Sequence, residues 1–272
     1  RLCGPSVPSG AELASAPMFS TVGRVALLLG VGLAVVGYAP VARAAKVKGK
    51  ITGFRSLLNP VWEEARDPKK RGYSFREIVP TVRPEFRHLF PHIPKEICVV
   101  ALAEGKQTPQ KTAILIRVGG GRTTPVTIVV PPGQHLQFHN TDPFKHRLFG
   151  VNVSTFQPGD TIKGARRDWT ASQAGSFEIR DEAAPSLRMW VIAEPNVAGI
   201  AYPNLKGEFA INVPAEGTYT IQAYFAGKKV GPGLPVELKA GDVELKVPLK
   251  VAEEKKPEKK ADDKDKEKDK GN

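Results

Sequence analysis

The run from Pro125 to Met189 decides the reading of this chain: Val126-Thr-Ile-Val-Val130, Pro131-Pro-Gly133, Leu136-Gln-Phe-His-Asn140 and Thr141-Asp-Pro-Phe-Lys-His146, then Gly175-Ser-Phe-Glu-Ile179 and Ala183-Ala-Pro-Ser-Leu-Arg-Met189. Short runs of β-branched and aromatic residues, punctuated by Pro, Gly, Asn and Asp, predict strands joined by tight turns. One inter-strand loop holds His146 and a later one closes on Met189. Between Gln134 and His139, alternation places Leu136 and Phe138 on one face and His135, Gln137 and His139 on the other. Leucine and phenylalanine belong to the core, so both histidines are expected to point outward.

The pattern Asn140-Thr-Asp142 followed by His146, with a later loop ending in methionine, resembles the plastocyanin-like cupredoxins. It is similar in particular to secreted bacterial proteins, some grouped as methylamine-utilisation-like, that join such a domain to a carboxypeptidase-regulatory-like β module. The resemblance covers roughly residues 46–250 and is carried by VTIVVPPGQHLQFHNTDPFKH and GEFAINVPAEGTYTIQAYF. It implies an all-β chain: a cupredoxin-like Greek-key β-sandwich over 45–194, then a smaller prealbumin-like β-sandwich module over 195–250. In the second stretch, 207–213 and 218–225 are expected to pair as a hairpin around the turn at 214–217. Tyr219 and Tyr224 fall on opposite faces, which argues against an aromatic sugar platform.

A type 1 copper site needs two imidazoles, a thiolate and a long axial thioether. The family supplies one histidine after the Asn-x-Asp turn and the rest from a later loop, commonly Cys-x-x-His-x-x-Met. Counting back from Met189 puts Ser186 at the second histidine and Ala183 at the cysteine. Alanine has no donor atom and serine offers only a hard hydroxyl, so the type 1 set is absent as written. His146 and Met189 are left as remnant ligand positions. Each also has a structural reading, His146 as a loop hydrogen-bonding residue and Met189 as core ahead of Trp190-Val-Ile192.

Charge points to a class of partner. The formal net charge is +12, and between the leader and the tail the body keeps 29 basic against 19 acidic residues, a net +10. A body this basic favours anionic partners, an acidic envelope component or another envelope protein, although solubility alone also accounts for charge. The candidate contacts are Lys69, Lys70, Arg71, Arg83 and Arg87, in a Pro-rich basic insertion at 55–96, together with Arg166 and Arg167. The insertion interleaves aromatics with its charges. Lacking any recognised nucleic-acid module, it reads as a loop wrapping the sandwich. Arg166-Arg167 is also expected to approach Asp181-Glu182 as a surface ion pair.

Residues 18–44 have the form of a secretory leader: Met18, Arg24, an apolar run over 25–39, Pro40 and Ala42-Arg-Ala44. At 15 residues the run is shorter than the ~20 a membrane span needs, so cleavage and a periplasmic or otherwise secreted product are expected. Residues 1–17 read as an upstream extension, and 251–272 as a disordered tail of balanced Lys, Asp and Glu. Past the leader only Cys98 remains, in the apolar run Ile97-Cys-Val-Val-Ala-Leu102, where it reads as a buried small hydrophobe. Gly119-Gly-Gly121 is followed by a strand rather than a helix, which excludes a phosphate loop and leaves a flexible turn.

No His-Glu-x-x-His, Gly-x-Ser-x-Gly or paired zinc-type cysteines occur. The expectation is a secreted, non-catalytic binding or scaffold protein on a degenerate cupredoxin frame, with no cofactor. The alternatives are a copper-binding or electron-transfer protein using His146, Met189 and His139 or a backbone carbonyl, and an envelope glycan binder.

Overall fold

Alternation in Ala45-Lys-Val-Lys-Gly-Lys-Ile-Thr52 turns Ala45, Val47 and Ile51 inward and the lysines outward, giving strand β1 (Ala45–Thr52). The unbroken apolar run that follows a one-turn helix α1 (Ile93–Glu96) has no polar face, and forms β2 (Ile97–Ala103), covered on both sides. The computed structural model describes residues 45–61, 64, 91–214, 216–239 and 241–252, all within one compact unit over 41–272. The strands that follow are β3 (Ile114–Gly119), β4 (Arg122–Thr124), β5 (Thr127–Val130), β6 (His135–Asn140), β7 (His146–Gly150), β8 (Gly159–Thr161) and β9 (Arg166–Thr170). After them come β10 (Gly175–Asp181), β11 (Arg188–Ala193), β12 (Val197–Ala201), β13 (Glu208–Val213), β14 (Gly217–Phe225), β15 (Lys228–Leu238), β16 (Val243–Glu244) and β17 (Leu249–Lys250).

These strands build two sandwiches. The first packs the sheet β4-β3-β6-β9 on the sheet β5-β11-β10-β7-β8, with β3/β6 and β5/β11 paired in parallel and the rest antiparallel. This is the Greek-key β-sandwich expected from the sequence. Its core runs through Ile116, Phe138, Leu148, Phe156, Trp169, Ile179 and Met189. The second sandwich packs β12-β2-β14-β15 on β13-β1-β16, with β17 also paired to β1, around Val47, Ile51, Val99, Ile211, Ile221 and Phe225.

A third apolar cluster joins the sandwiches: Cys98, Val100, Val126, Val129, Trp190, Ile192 and Tyr224. Here the doubly buried strands show their logic. In β2, Val99 and Ala101 face one core while Cys98 and Val100 face the junction; in β11, Met189 and Val191 face the other core while Trp190 and Ile192 face the junction. Each large side chain so enclosed contributes about 1.5–3 kcal/mol relative to exposure. Burial pushes the Cys98 thiol up to about 12, consistent with its reading as an inert small hydrophobe.

Strand pairing departs from the sequence reading in three places. It crosses the boundary expected at 194, because β1 and β2 lie before it and hydrogen-bond to strands after it. The hairpin expected across 214–217 is not formed: β13 pairs with β1, and β14 pairs with β2 and β15. Phe209, Ile211 and Val213 do meet Tyr219, Ile221, Ala223 and Phe225, but across the core between two sheets. Equal inward alternation on both strands fits either arrangement, and β2 supplies the apolar neighbour that β14 needs. Finally, Val251 is no part of a tail: its amide donates to the Thr52 carbonyl at 2.9 Å and it is buried in the core.

Lys69, Lys70, Arg71, Arg83 and Arg87, the leader, residues 1–17 and the tail from 253 lie outside the described residues. Among the described residues no helix is long and apolar enough to cross a membrane.

Candidate functional site

The site grows from Asn140, the last residue of β6. Its side chain is fully buried; its oxygen accepts the Asp142 amide at 2.8 Å, closing an Asx turn, and its amide donates to the carbonyls of Phe144 (2.8 Å) and Thr161 (2.7 Å). One buried amide thereby shapes the loop from 141 to 145 and ties it to the end of β8. The turn between β3 and β4 completes the cradle. Gly120 and Gly121 hold φ of 65° and 67°, left-handed values that glycine adopts without strain, and their amides donate to the two oxygens of Asp142 at 2.8 and 3.2 Å. The glycine turn is thus a holder of a carboxylate, a role its sequence did not disclose.

His146 opens β7 with its ring wholly enclosed. Its Nε2 lies 3.0 Å from an Asp142 oxygen, and its Nδ1 makes a short contact with Asp181. Asp181 is the last residue of β10; its other oxygen accepts the amides of Arg147 (2.7 Å) and Ala183 (2.9 Å). Phe144 leans on the imidazole with ring centroids 4.9 Å apart, shielding it from solvent while remaining half exposed itself. A neutral imidazole donates at one nitrogen only. Both contacts are therefore hydrogen bonds when the ring carries two protons, as a cation between two anions.

The Gly120 amide, joined by the Gly121 amide and the His146 ring, holds the Asp142 carboxyl below its ordinary value against the opposing effect of burial. A carboxylate whose folded value lies below the unfolded ~3.9 stabilises fully above that pH and loses the contribution as pH falls through the folded value. The stability gap between the wild-type chain and Asp142→Asn, followed by urea unfolding, is accordingly flat from neutrality to about pH 5 and closes below about pH 4. A gap already closing near pH 6 would assign it to another group.

The structure brings together a different set of residues from the one counted in sequence. Ala183 and Ser186 are exposed in the loop between β10 and β11, and the side chain this region sends to His146 is Asp181, two residues before the expected cysteine position. Met189 is fully buried in the apolar core, in register with Ile179. The two aspartates occupy opposite ring nitrogens, so their oxygens and the imidazole do not converge on one point; among the described residues no group of three ligating side chains could hold a metal ion. Asp142 and Asp181 are the residues that counting missed. Asp181 did leave a signal, a carboxylate at the end of the inward alternation Phe177, Ile179, Asp181.

Of the candidate partner contacts, Arg166 is exposed and reaches the Gln137 oxygen at 3.0 Å. Arg167 turns inward instead. Its guanidinium donates to the carbonyls of Leu148, Gln157 and Gly159 and lies 4.2 Å over the Phe156 ring, so it is spent within the fold. The ion pair expected between these arginines and Asp181-Glu182 is not formed, since Asp181 faces His146 and Glu182 meets Arg147 at 3.2 Å. His139 projects outward, as alternation required.

No protein-family model and no curated protein matches the chain. Among solved structures it is similar to amicyanin from Paracoccus versutus, at 17% identity over 37% of this chain and 99% of that one, with a TM-score of 0.29. A purple cupredoxin from Nitrosopumilus maritimus matches at 16% identity, covering 30% of this chain and all of its own, TM-score 0.26. A copper-containing nitrite reductase from Thermus scotoductus matches at 18% identity over 35% of this chain and 25% of that one, TM-score 0.28.

Proposed function

We propose that this chain is a secreted, periplasmic, non-catalytic binding or scaffold protein that engages an anionic envelope component. In this reading its cupredoxin-like sandwich has exchanged a copper site for a structural pin. The observation that carries it is the engagement of both ring nitrogens of His146 by carboxylates. A histidine ligand needs one nitrogen bare, and His146 has neither. The other expected donors are absent or withdrawn: Ala183 has none, Ser186 faces solvent, and Met189 is sealed in the core. These residues do not fit a type 1 copper ion, and no step of a redox reaction is assigned to them. The leader-like segment at 18–44 supports secretion, and the net +10 body supports an anionic partner.

Calorimetric titration of the full chain with Cu(I) and with Cu(II), beside a His146→Ala variant, tests the reading. The expected result is no tight one-equivalent site and no difference between the two proteins. Tight stoichiometric binding that vanishes in the variant would make His146 a ligand and replace this reading with a copper carrier.

A further inference from the structure

The arginines of the cupredoxin-like sandwich fall into two groups. Arg147, Arg180 and Arg188 are paired with carboxylates, and Arg167 is bound to carbonyls. Arg117, Arg122 and Arg166 have no acidic partner among the described residues; Arg117 touches only the Thr141 hydroxyl (3.2 Å) and Arg166 only the Gln137 oxygen. All three lie on one surface, the outer face of β4-β3-β6-β9.

Register makes this more than shared exposure. Thr124 stands opposite Arg117, Arg117 opposite His139, and His139 opposite Arg166, so one row crosses four strands. With strands about 4.8 Å apart, the two arginines start about 10 Å from each other with the imidazole midway. Two like charges about 10 Å apart repel each other across the row, and the guanidinium donors here are largely unused. An oxyanion over His139 removes both faults, since it is within reach of a guanidinium fork from each side. Asp168, the one carboxylate on this face among the described residues, sits in the next row and is occupied by His135 (3.1 Å) and Gln137 (2.9 Å).

The rest of the face narrows the partner. Among the described residues it presents no Phe, Tyr or Trp ring on which a base would stack. Leu115 is its only large exposed apolar side chain among the described residues, too little to enter a lipid surface. The hydroxyls of Thr124 and Thr170 and the amide of Gln137 suit sugar hydroxyls. We propose that this sheet face binds an acidic polysaccharide through its sulfate or phosphate esters, seated across Arg117, His139 and Arg166. The proposal rests on the anionic-partner reading above and gives that partner a surface and a chemistry.

The test titrates the full chain with dextran sulfate and neutral dextran at low salt. It compares the wild type with the triple variant Arg117→Gln, His139→Gln, Arg166→Gln, and with Lys46→Gln, Lys50→Gln on the outer face of β1. All five changes are on exposed or partly exposed positions, and urea unfolding checks that each variant folds. Dextran sulfate is expected to bind and neutral dextran not to; the triple variant is expected to lose about tenfold in affinity, the lysine variant much less. Equal losses in both variants would reduce the effect to net charge and overturn the site. A triple variant that binds as well as wild type would also overturn the site while leaving the anionic-partner reading intact. Tighter binding to vesicles of phosphatidylglycerol and phosphatidylcholine in equal parts, or to single-stranded DNA, than to dextran sulfate would overturn the polysaccharide assignment. A wild-type chain that binds no polyanion would overturn both readings together.

Discussion

Replacing His146 with alanine lowers the stability of the folded chain by about 3–5 kcal/mol. Among the described residues, the ring is the only cation-capable side chain in contact with Asp181, which is 3% exposed, and with the inner oxygen of Asp142. Removing it leaves two carboxylates facing a cavity. The amides of Arg147, Ala183, Gly120 and Gly121 still hold the outer lone pairs, which keeps the cost from being larger. Two contributions add here, an uncompensated buried charge and the lost packing of an aromatic side chain. They separate in a second variant: Asp181→Asn on the His146→Ala background removes one of the stranded charges and keeps an oxygen for the two amides. That double variant is expected to regain about 1–2 kcal/mol over the single one. Urea unfolding at neutral pH, compared at unchanged m-value, reads both differences. If the second substitution regains nothing, packing alone fixes His146 and the charge argument fails.

The local signals that proved reliable were those in which one residue decides one contact. Alternation in 135–140 put Leu136 and Phe138 in the core and both histidines outside, and the structure agrees residue by residue. The apolar run at 97–103 and the β-branched run at 126–130 were legible as strands, whereas their burial on both faces emerges only from the fold. The Asn-x-Asp turn before His146 was legible as a loop, and the buried Asn140 explains why that loop is well defined. What could not be read was the identity of distant partners. Counting back from Met189 fixed Ala183 by an assumed loop length, whereas the residue meeting His146 is set by where β10 ends. Likewise, nothing in Gly119-Gly-Gly121 reveals that Asp142 lies across from its amides. The pairing of β13 with β1 spans more than 150 residues of sequence, and inward alternation does not distinguish it from the local hairpin.

That long-range pairing has the largest expected consequence for any dissection of the chain. A fragment of residues 195–250, the module boundary suggested by sequence, is expected not to fold. Cut there, β12 and β14 lose β2, the strand between them, and β13, β16 and β17 lose β1, the strand to which all three pair. What remains paired is β14 with β15, and an isolated two-stranded hairpin is at best marginally stable in water. The core loses Val47, Ile51, Ile97, Val99 and Ala101 with those strands. Residues 113–194 stand differently, because both sheets of the first sandwich and its whole buried core lie within them. That fragment is expected to fold and unfold cooperatively, but with Val126, Val129, Trp190 and Ile192 uncovered where the junction was. Contiguous exposed apolar surface of this kind drives association. Circular dichroism and amide NMR dispersion distinguish the two fragments, and sedimentation detects the association. A dispersed spectrum with a cooperative transition from 195–250 alone would mean that the second sandwich forms without β1 and β2, and that their pairing adds to a module already complete.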